Sequence, residues 1–196
     1  MSGPGPAGPV SDASVNVLAI VGSLRRASVN AAAARAAMSV SGDVNLTIHD
    51  VADVPFYDGD VETAGLPSAV RRLNDAVAAS DGVVLFSPEY NSSFPAVTKN
   101  VIDWMSRPPK VWEGLPIGLV TATPGPRAGL GVREHFSAVL ERRPVRLFET
   151  LGIGAYGDKL DADGEIVDAD TLAAVADYVA RFAEFCRTAP GSVAAP

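Results

Sequence analysis

Side chains that can bind an anion are concentrated in residues 19–30, AIVGSLRRASVN, between an apolar run and an alanine-rich run. Ser23, Ser28 and Asn30 carry hydroxyl or amide groups that can donate hydrogen bonds. Arg25 can offer a bidentate fork to an anionic oxygen. A helix beginning here would add free N–H groups and a positive dipole end. The segment is compatible with a phosphate cradle, and the alternative is a polar turn in which Ser28 caps the helix.

A second polar segment, SPEYNSSFPAVTKNVIDWMSRP at residues 87–108, directly follows a short apolar run. Its first residues combine a rigid turn, backbone donors, an aromatic ring and an amide: Pro88, Glu89, Tyr90 and Asn91. Groups of this kind can line a flat heteroaromatic ligand. The alternative is a structural turn in which Tyr90 packs on the core.

The sequence lacks the signatures of several other sites. It has no G-x-x-x-x-G-K-[ST] loop of nucleoside triphosphatases, and the loop after the first predicted strand lacks the G-x-G-x-x-G pattern of dinucleotide sites. It has no G-x-S-x-G nucleophile elbow, and its two histidines, His49 and His135, lie outside the candidate loops. We therefore predict no catalytic residue and no metal site.

The elements that must position these loops follow from hydropathy. Apolar runs of strand length, bounded by turn residues, predict strands at 15–21, 44–51, 82–87, 115–122 and 144–150. Helical spacing predicts helices at 29–40, 66–80, 95–107, 130–143 and 169–188. This alternation is typical of an α/β fold with a parallel sheet built from right-handed βαβ units. Ligands bind such sheets beyond the carboxyl ends of the strands, where the candidate loops lie.

Composition limits the class of protein. The chain has 196 residues, 47% hydrophobic and 20% charged, which suits a soluble globular domain. A net charge of −7 argues against a nucleic-acid partner. No apolar run is long enough to span a bilayer, so we expect no membrane partner. The single cysteine, Cys186, excludes an internal disulfide and fits a reducing compartment, so we expect a cytoplasmic protein.

The two ends of the chain differ in composition from the rest. Gly and Pro are frequent in MSGPGPAGPVSDAS, which predicts a disordered tail at 1–14. The segment APGSVAAP predicts a flexible tail at 189–196. Residues 15–188 between them are expected to form a single domain.

The two polar segments together resemble the NADPH-dependent FMN reductase family of flavodoxin-like proteins. That family shows G-S-x-R-x-x-S-x-N and then S-P-E-Y-N-x-S-x-P-x-x-x-K-N-x-I-D-W, and both motifs are present at matching points. The resemblance covers nearly all of residues 15–187. It implies a flavodoxin-like three-layer sandwich: a five-stranded parallel sheet in the order 2-1-3-4-5 with helices on both faces.

The resemblance also implies which residues bind FMN. The phosphate would be held by Ser23, Arg25, Ser28 and Asn30. The ribityl chain and the isoalloxazine ring would lie along Pro88, Glu89, Tyr90 and Asn91, and Ser92 would cap the next helix. The third family loop, S-x-G-x-x-G-G, reads TATPGPRAGLG here, so Thr123 and Gly125 would face the pyrimidine edge of the flavin. The Gly-Gly pair of the family is either replaced by Ala128-Gly129 here or spread apart by Arg127, so the shape of the nicotinamide side is expected to differ from that of the family.

The function implied is an FMN-dependent NAD(P)H oxidoreductase that passes hydride from NADPH, or NADH, to FMN and on to a small-molecule electron acceptor. The acceptor could be free flavin, a quinone, an azo compound or a metal oxyanion. The lack of a candidate acid or base side chain is compatible with this function, because the flavin itself carries out the hydride transfer. The alternatives are a flavodoxin-type electron carrier and an FMN-binding redox sensor without its own turnover.

Further expectations concern partners and coenzyme choice. FMN held loosely would serve as a substrate and supply a flavin-dependent monooxygenase. The resemblance implies a homodimer or homotetramer, with the apolar face of 95–107 and Trp112 as candidate contacts; the alternative is that both are buried within one chain. Arg127 is a candidate contact for the 2′-phosphate of NADPH.

Overall fold

The computed structural model describes residues 14–188. The tails predicted at 1–14 and 189–196 therefore lie outside the described residues, apart from Ser14. The strands are Asn16–Val21 (β1), Asn45–His49 (β2), Gly82–Phe86 (β3), Pro116–Ala122 (β4) and Arg146–Ile153 (β5). The helices are Val29–Ser39 (α1), Gly59–Ala64 (α2), Ser68–Ala78 (α3), Ala96–Met105 (α4), Leu130–Leu140 (α5) and Ala169–Arg187 (α6), with a 3-10 turn at Tyr156–Lys159.

The strands form one parallel sheet in the order β2-β1-β3-β4-β5. Val17 of β1 pairs with Leu46 of β2 on one side and with Gly82 of β3 on the other. Every residue of β3 and β4 is buried, as expected for continuous apolar strands covered on both faces. The predicted sheet and its strand order are confirmed.

Helices cover both faces of the sheet. On one face, α1 and α6 pack against the strands, and the buried alanines of α1 let its backbone approach the sheet closely. On the other face, α3, α4 and α5 cover a second apolar cluster. The predicted three-layer sandwich is therefore confirmed. No helix within residues 14–188 combines the length and apolar composition needed to cross a membrane.

Glycine is required at the point where β1 enters the first loop. A Cβ added to Gly22 would collide with the side chain of Thr98 in α4 and lie 3.3 Å from Ser87 Oγ. The N–H of Gly22 also donates to the carbonyl oxygen of Phe86 at the end of β3, at 2.8 Å. This close approach brings the first and second loops side by side at one edge of the sheet.

The two candidate subunit contacts are buried within the chain. Val101, Trp104 and Met105 of α4 are inside the protein, and Trp112 is only 3% exposed. Trp104 donates its indole N–H to the carbonyl oxygen of Pro55 at 2.8 Å. These residues therefore belong to the core, as the alternative interpretation stated.

Candidate functional site

A cavity of about 480 Å³ opens at the carboxyl ends of β1, β3 and β4. The loops that follow these three strands form its wall, together with Tyr156 from the turn after β5. All of the sequence-predicted site residues line it except Asn91. Its volume lies within the range of roughly 300–1,000 Å³ that is usual for small-molecule sites.

The first loop keeps its hydrogen-bond donors free. Ser28 is the N-cap of α1, and its Oγ accepts the N–H of Ala31 at 3.2 Å, so its hydroxyl hydrogen remains available to a ligand. Ser28 is thus a helix cap and a cavity residue at once. The guanidinium of Arg25 makes no hydrogen bond or ion pair with any residue in 14–188, and it lies in the cavity wall. With the positive end of α1 beside it, this loop favours an anion.

Asn30 is engaged within the protein. Its side-chain Nδ2 donates to the carbonyl oxygen of Ala122 at 3.0 Å, and its Oδ1 accepts the Ala122 N–H at 2.9 Å. The residue is buried, at 3% exposure. The amide therefore joins the first turn of α1 to the end of β4. Its predicted contact with a phosphate stays a prediction, with the amide oxygen and one N–H already engaged.

The second loop makes a tight turn that displays Tyr90. The backbones of Tyr90 and Ser93 exchange two hydrogen bonds, at 3.0 and 3.1 Å, around Asn91 and Ser92. Both central residues have positive φ, 52° and 58°, which is typical of a type I′ turn. Tyr90 is 46% exposed at the cavity, so the alternative that it packs on the core is wrong.

The same turn bears on two other expectations, the predicted flavin contact of Asn91, which stays a prediction, and the predicted helix cap of Ser92. Asn91 lies at the tip of the turn and is not part of the cavity wall. Ser92 does not cap the following helix, because α4 begins at Ala96 with Pro95 as its N-cap and no side-chain cap hydrogen bond. With its positive φ, Ser92 is a central residue of the turn between Tyr90 and Ser93 instead.

Glu89 ties the second loop to the third. Its Oε2 accepts the N–H of Val132 at 3.0 Å, in the first turn of α5. That helix has Gly129 as its N-cap and no side-chain cap hydrogen bond. The carboxylate of Glu89 satisfies one of the free N–H groups and lies at the positive end of the helix. This hydrogen bond ties two walls of the cavity together, and the predicted contact of Glu89 with the flavin stays a prediction.

The third loop retains glycine where the backbone demands it. Gly129 has φ 66°, and a Cβ there would lie 2.5 Å from Oγ1 of Thr121. Ala128, which replaces a family glycine, also adopts a positive φ of 50°. The carbonyl oxygen of Gly125 accepts from the N–H groups of Ala128 and Ala155, each at 3.3 Å, which closes the loop on itself.

Substituting Gly125 by alanine tests which side of the cavity the ligand occupies. A Cβ at Gly125 meets no protein atom within 4 Å, so the apo protein should keep its stability. The methyl group should crowd a flavin and weaken its binding by roughly 1–3 kcal/mol, about 5- to 150-fold. Calorimetric titration with FMN measures this change. Gly59→Ala, also uncrowded but outside this cavity, is the matched control.

Tyr156 is a cavity residue that the sequence motifs missed. It begins the 3-10 turn after β5, behind Ala155 with φ 49°. No motif of the first or second loop marks it. Its position just beyond the carboxyl end of a strand was the available signal, since this edge of the sheet holds the site.

The donor set fits FMN. The charged side chains of the wall are Arg25, Arg127 and Glu89, and Glu89 is already bonded to α5. The two arginines make this cavity locally positive in a chain of net charge −7, which suits a phosphate. Within the part of the chain that the structure describes, no His, Cys or Lys lines the cavity. The residues can bind and orient a ligand, and the reaction chemistry belongs to a bound cofactor.

A parallel sheet in the order 2-1-3-4-5 is the flavodoxin-like arrangement, in which ligands bind beyond the carboxyl ends of the strands, where this cavity lies. The sequence model described as NADPH-dependent FMN reductase matches residues 15–148. The chain belongs to the NADPH-dependent FMN reductase family, as its motifs indicated, and is an NAD(P)H- and FMN-dependent oxidoreductase.

Known proteins agree with this assignment. A quinone reductase of Escherichia coli (strain K12) is 34% identical over 180 residues, covering 87% of this chain and 95% of its own. An NAD(P)H-dependent FMN reductase of Pseudomonas aeruginosa is 33% identical over 159 residues, covering 79% and 85%. The structure of FerB, a flavoenzyme NAD(P)H:(acceptor) oxidoreductase from Paracoccus denitrificans, has a TM-score of 0.79 at 28% identity and covers 88% and 97%. These relatives favour an enzyme over an electron carrier or a sensor.

Proposed function

We propose that this oxidoreductase reduces a quinone by two electrons at the cavity described above. The observation that carries the proposal is the cavity itself: three loops converge on an open site that has a free arginine and an exposed tyrosine ring. Relatives named as quinone reductases support the choice of acceptor, including a 2-hydroxy-1,4-benzoquinone reductase of Burkholderia sp. that is 30% identical over 178 residues.

Different residues of the cavity bind different parts of FMN. Arg25, Ser23 and the hydroxyl of Ser28 hold the phosphate of FMN at the positive end of α1. Pro88 and Tyr90 border the flavin ring, and the Thr123–Gly125 segment faces its pyrimidine edge. When bound, FMN supplies the hydride-transfer chemistry. Glu89 and Asn30 keep the three loops in register, so the cavity is formed before the ligand arrives.

The exposed ring of Tyr90 gives a planar acceptor a surface on which to stack. Reduction of a quinone to a hydroquinone takes up one hydride equivalent and one proton from solvent. Among residues 14–188 no His, Cys or Lys lines the cavity, and its proton-donating side chains are the phenols of Tyr90 and Tyr156, so we assign the proton to solvent water. The rate is therefore expected to depend on orientation of the rings rather than on a protein acid.

A comparison of acceptors tests this proposal. We expect kcat/KM for 1,4-benzoquinone, measured with FMN-loaded protein and NADPH, to exceed the values for free FMN, an azo dye and chromate at least tenfold. Oxidation of NADPH at 340 nm reports all four reactions. An equal or higher value for another acceptor would overturn the quinone assignment while leaving the family assignment intact.

Arg127 is proposed to select NADPH over NADH. Its side chain is in the cavity wall, and the wall has one other arginine, Arg25 in the first loop. Loss of a charge-assisted contact worth roughly 1.5–3 kcal/mol should reduce the ratio of kcat/KM for NADPH to that for NADH at least tenfold in Arg127→Ala. The exposed Arg26, which does not line the cavity, supplies the control variant Arg26→Ala. An unchanged ratio in Arg127→Ala would remove Arg127 from coenzyme recognition.

We also propose that the protein works in the cytoplasm, a reducing compartment that its single cysteine fits.

We propose further that FMN is a resident cofactor of this protein rather than a product released to a monooxygenase. The support is the set of donors that the first loop keeps free for the phosphate. Gel filtration of FMN-loaded protein tests this: the flavin should elute with the protein. Flavin lost on the column would favour the supply of reduced FMN to a flavin-dependent monooxygenase.

A further inference from the structure

The phenol of Tyr156 has no hydrogen-bond partner in the part of the chain that the structure describes. The two tyrosines that lie outside the cavity both donate their hydroxyl hydrogens to protein oxygens, Tyr57 to Glu62 Oε2 at 2.8 Å and Tyr178 to the carbonyl oxygen of Glu149 at 3.0 Å. The hydroxyl of Tyr156 lines the cavity and makes no such bond with any described residue. A phenol can donate one hydrogen bond, so this donor remains available to a ligand.

The backbone that carries Tyr156 is held at the end of the sheet. Ala155, directly before it, has a positive φ of 49°, and its N–H donates to the carbonyl oxygen of Gly125 in the third loop at 3.3 Å. Gly154 is packed so closely on this loop that an added Cβ would lie 3.1 Å from Cβ of Ala128. A left-handed conformation is unfavourable for alanine, and residues in such conformations are concentrated at ligand sites. The turn after β5 therefore fixes the tyrosine at the cavity.

The apolar clusters show at which end of the cavity Tyr156 lies. Tyr156 and Val29, in the first turn of α1, both pack against the cluster between the sheet and helices α1 and α6. Phe94 of the second loop and Val132 of α5 belong to the cluster on the other face of the sheet. Tyr156 is therefore at the α1 end of the cavity, and the loops that Glu89 ties together form the α5 end.

Strand pairing also places Tyr156 close to the first turn of α1. Ile153, at the end of β5, is paired with Ala122 at the end of β4. The backbone of Ala122 in turn exchanges two hydrogen bonds with the side chain of Asn30 in α1, at 2.9 and 3.0 Å. Ser28, whose hydroxyl hydrogen is free, is the N-cap of the same helix. The phenol and the anion-binding first loop therefore border the same end of the cavity.

We propose that the hydroxyl of Tyr156 donates a hydrogen bond to the phosphate of bound FMN. The inference rests on the phosphate position proposed above. Ser23, Arg25 and Ser28 all belong to the first loop, whereas Tyr156 follows β5 and supplies a donor from a different element. A phosphate has three terminal oxygens that accept hydrogen bonds strongly, so donors from two elements can bind it together. Tyr156 then contributes to the discrimination between FMN and a flavin that lacks the phosphate.

Titration of the flavin-free protein with FMN and with riboflavin tests the proposal, because riboflavin is FMN without its phosphate. Quenching of the flavin fluorescence measures both dissociation constants. We expect Tyr156→Phe to raise the dissociation constant for FMN about 10-fold or more, and to change that for riboflavin by less than about twofold because the ring is retained. Tyr57→Phe removes a phenol hydroxyl outside the cavity, so this matched control should change both constants by less than about twofold.

Phosphorus NMR of bound FMN gives a second readout that does not depend on the affinity for riboflavin. The phosphate signal should shift in Tyr156→Phe and stay in place in Tyr57→Phe. An unchanged FMN affinity in Tyr156→Phe, equal losses for FMN and riboflavin, or an unmoved phosphate signal would each overturn the proposal.

Arg25→Ala, titrated in the same way, separates this contact from the phosphate position on which it rests. A loss of FMN affinity in Arg25→Ala without one in Tyr156→Phe would remove only Tyr156 from the phosphate site. No loss in either variant would remove the phosphate site of the first loop as well, and the proposal with it.

Discussion

Arg25→Ala is expected to weaken FMN binding by roughly 1.5–3 kcal/mol, which is about 10- to 150-fold in the dissociation constant. The guanidinium lies in the cavity wall with no partner inside residues 14–188, so its charge is available to the phosphate. The apo protein should keep its stability for the same reason, because the substitution breaks no internal contact. Fluorescence titration of FMN measures the affinity, and urea unfolding measures the stability.

Two further variants make the test of Arg25 specific. Arg26→Ala removes the neighbouring charge, but Arg26 does not line the cavity, so its effect on affinity should stay below about twofold. Arg25→Lys keeps the charge and loses the bidentate fork, so an intermediate affinity is expected. Equal losses for Arg25→Ala and Arg26→Ala would reduce the arginine effect to general electrostatics.

Asn30→Ala is expected to lower the free energy of unfolding of the apo protein by roughly 2–5 kcal/mol. The substitution leaves both the N–H and the carbonyl oxygen of Ala122 without their side-chain partner at a buried site. It also releases the end of β4 from the first turn of α1, so affinity for FMN should fall as a consequence. Chemical denaturation of the flavin-free protein isolates the structural part of the effect.

Asn45→Ala is the matched control for this variant. Asn45 is exposed on β2, and its side chain makes one hydrogen bond to Asn16 Oδ1 at 2.8 Å, so the expected cost is about 1 kcal/mol or less. If Asn30→Ala were to keep the wild-type stability and lose only FMN affinity, its amide would act on the ligand, as the family motif implied.

The strands show how much of the fold can be predicted from the local pattern of apolar residues. The continuous apolar runs that predicted β1, β3 and β4 correspond to strands covered on both faces, where most positions are buried and apolar. The apolar pattern predicts β5 at 144–150, but the strand extends over Arg146–Ile153 at the edge of the sheet. An edge strand pairs with a neighbour on one side only and tolerates polar residues, so hydropathy locates its first and last residues less clearly.

The short helix α2 escaped prediction because it has too few residues for an apolar stripe. None of its residues is buried. What stabilises its start is Asp58, whose side chain accepts the N–H of Asp60 at 2.8 Å. A capping residue such as Asp is also common in turns, so it does not predict a helix unless apolar residues at helical spacing follow it.

Within the site, the two sequence motifs predict most of the residues that line the cavity. The hydrogen bonds that connect the loops are formed between residues far apart in the chain. The loop residues predicted from the two motifs line the cavity, apart from Asn91. The partner of Asn30 lies 92 residues further along the chain and that of Glu89 43 residues further. Spacing within a motif carries no information about such partners. The structure adds that Asn30 and Glu89 also hold the loops together, and their predicted contacts with FMN stay predictions.

Anaerobic addition of NADPH to FMN-loaded protein, followed by its visible spectrum, tests whether the protein is an NAD(P)H-dependent flavin enzyme. We expect the protein to take up FMN at micromolar affinity or better and the flavin absorbance near 450 nm to bleach promptly with NADPH. Subsequent addition of benzoquinone should restore the absorbance. FMN that binds but stays oxidised with both nicotinamides would contradict the assignment as an NAD(P)H-dependent reductase. A failure to bind FMN would contradict the site built from residues 22–30 and 87–92.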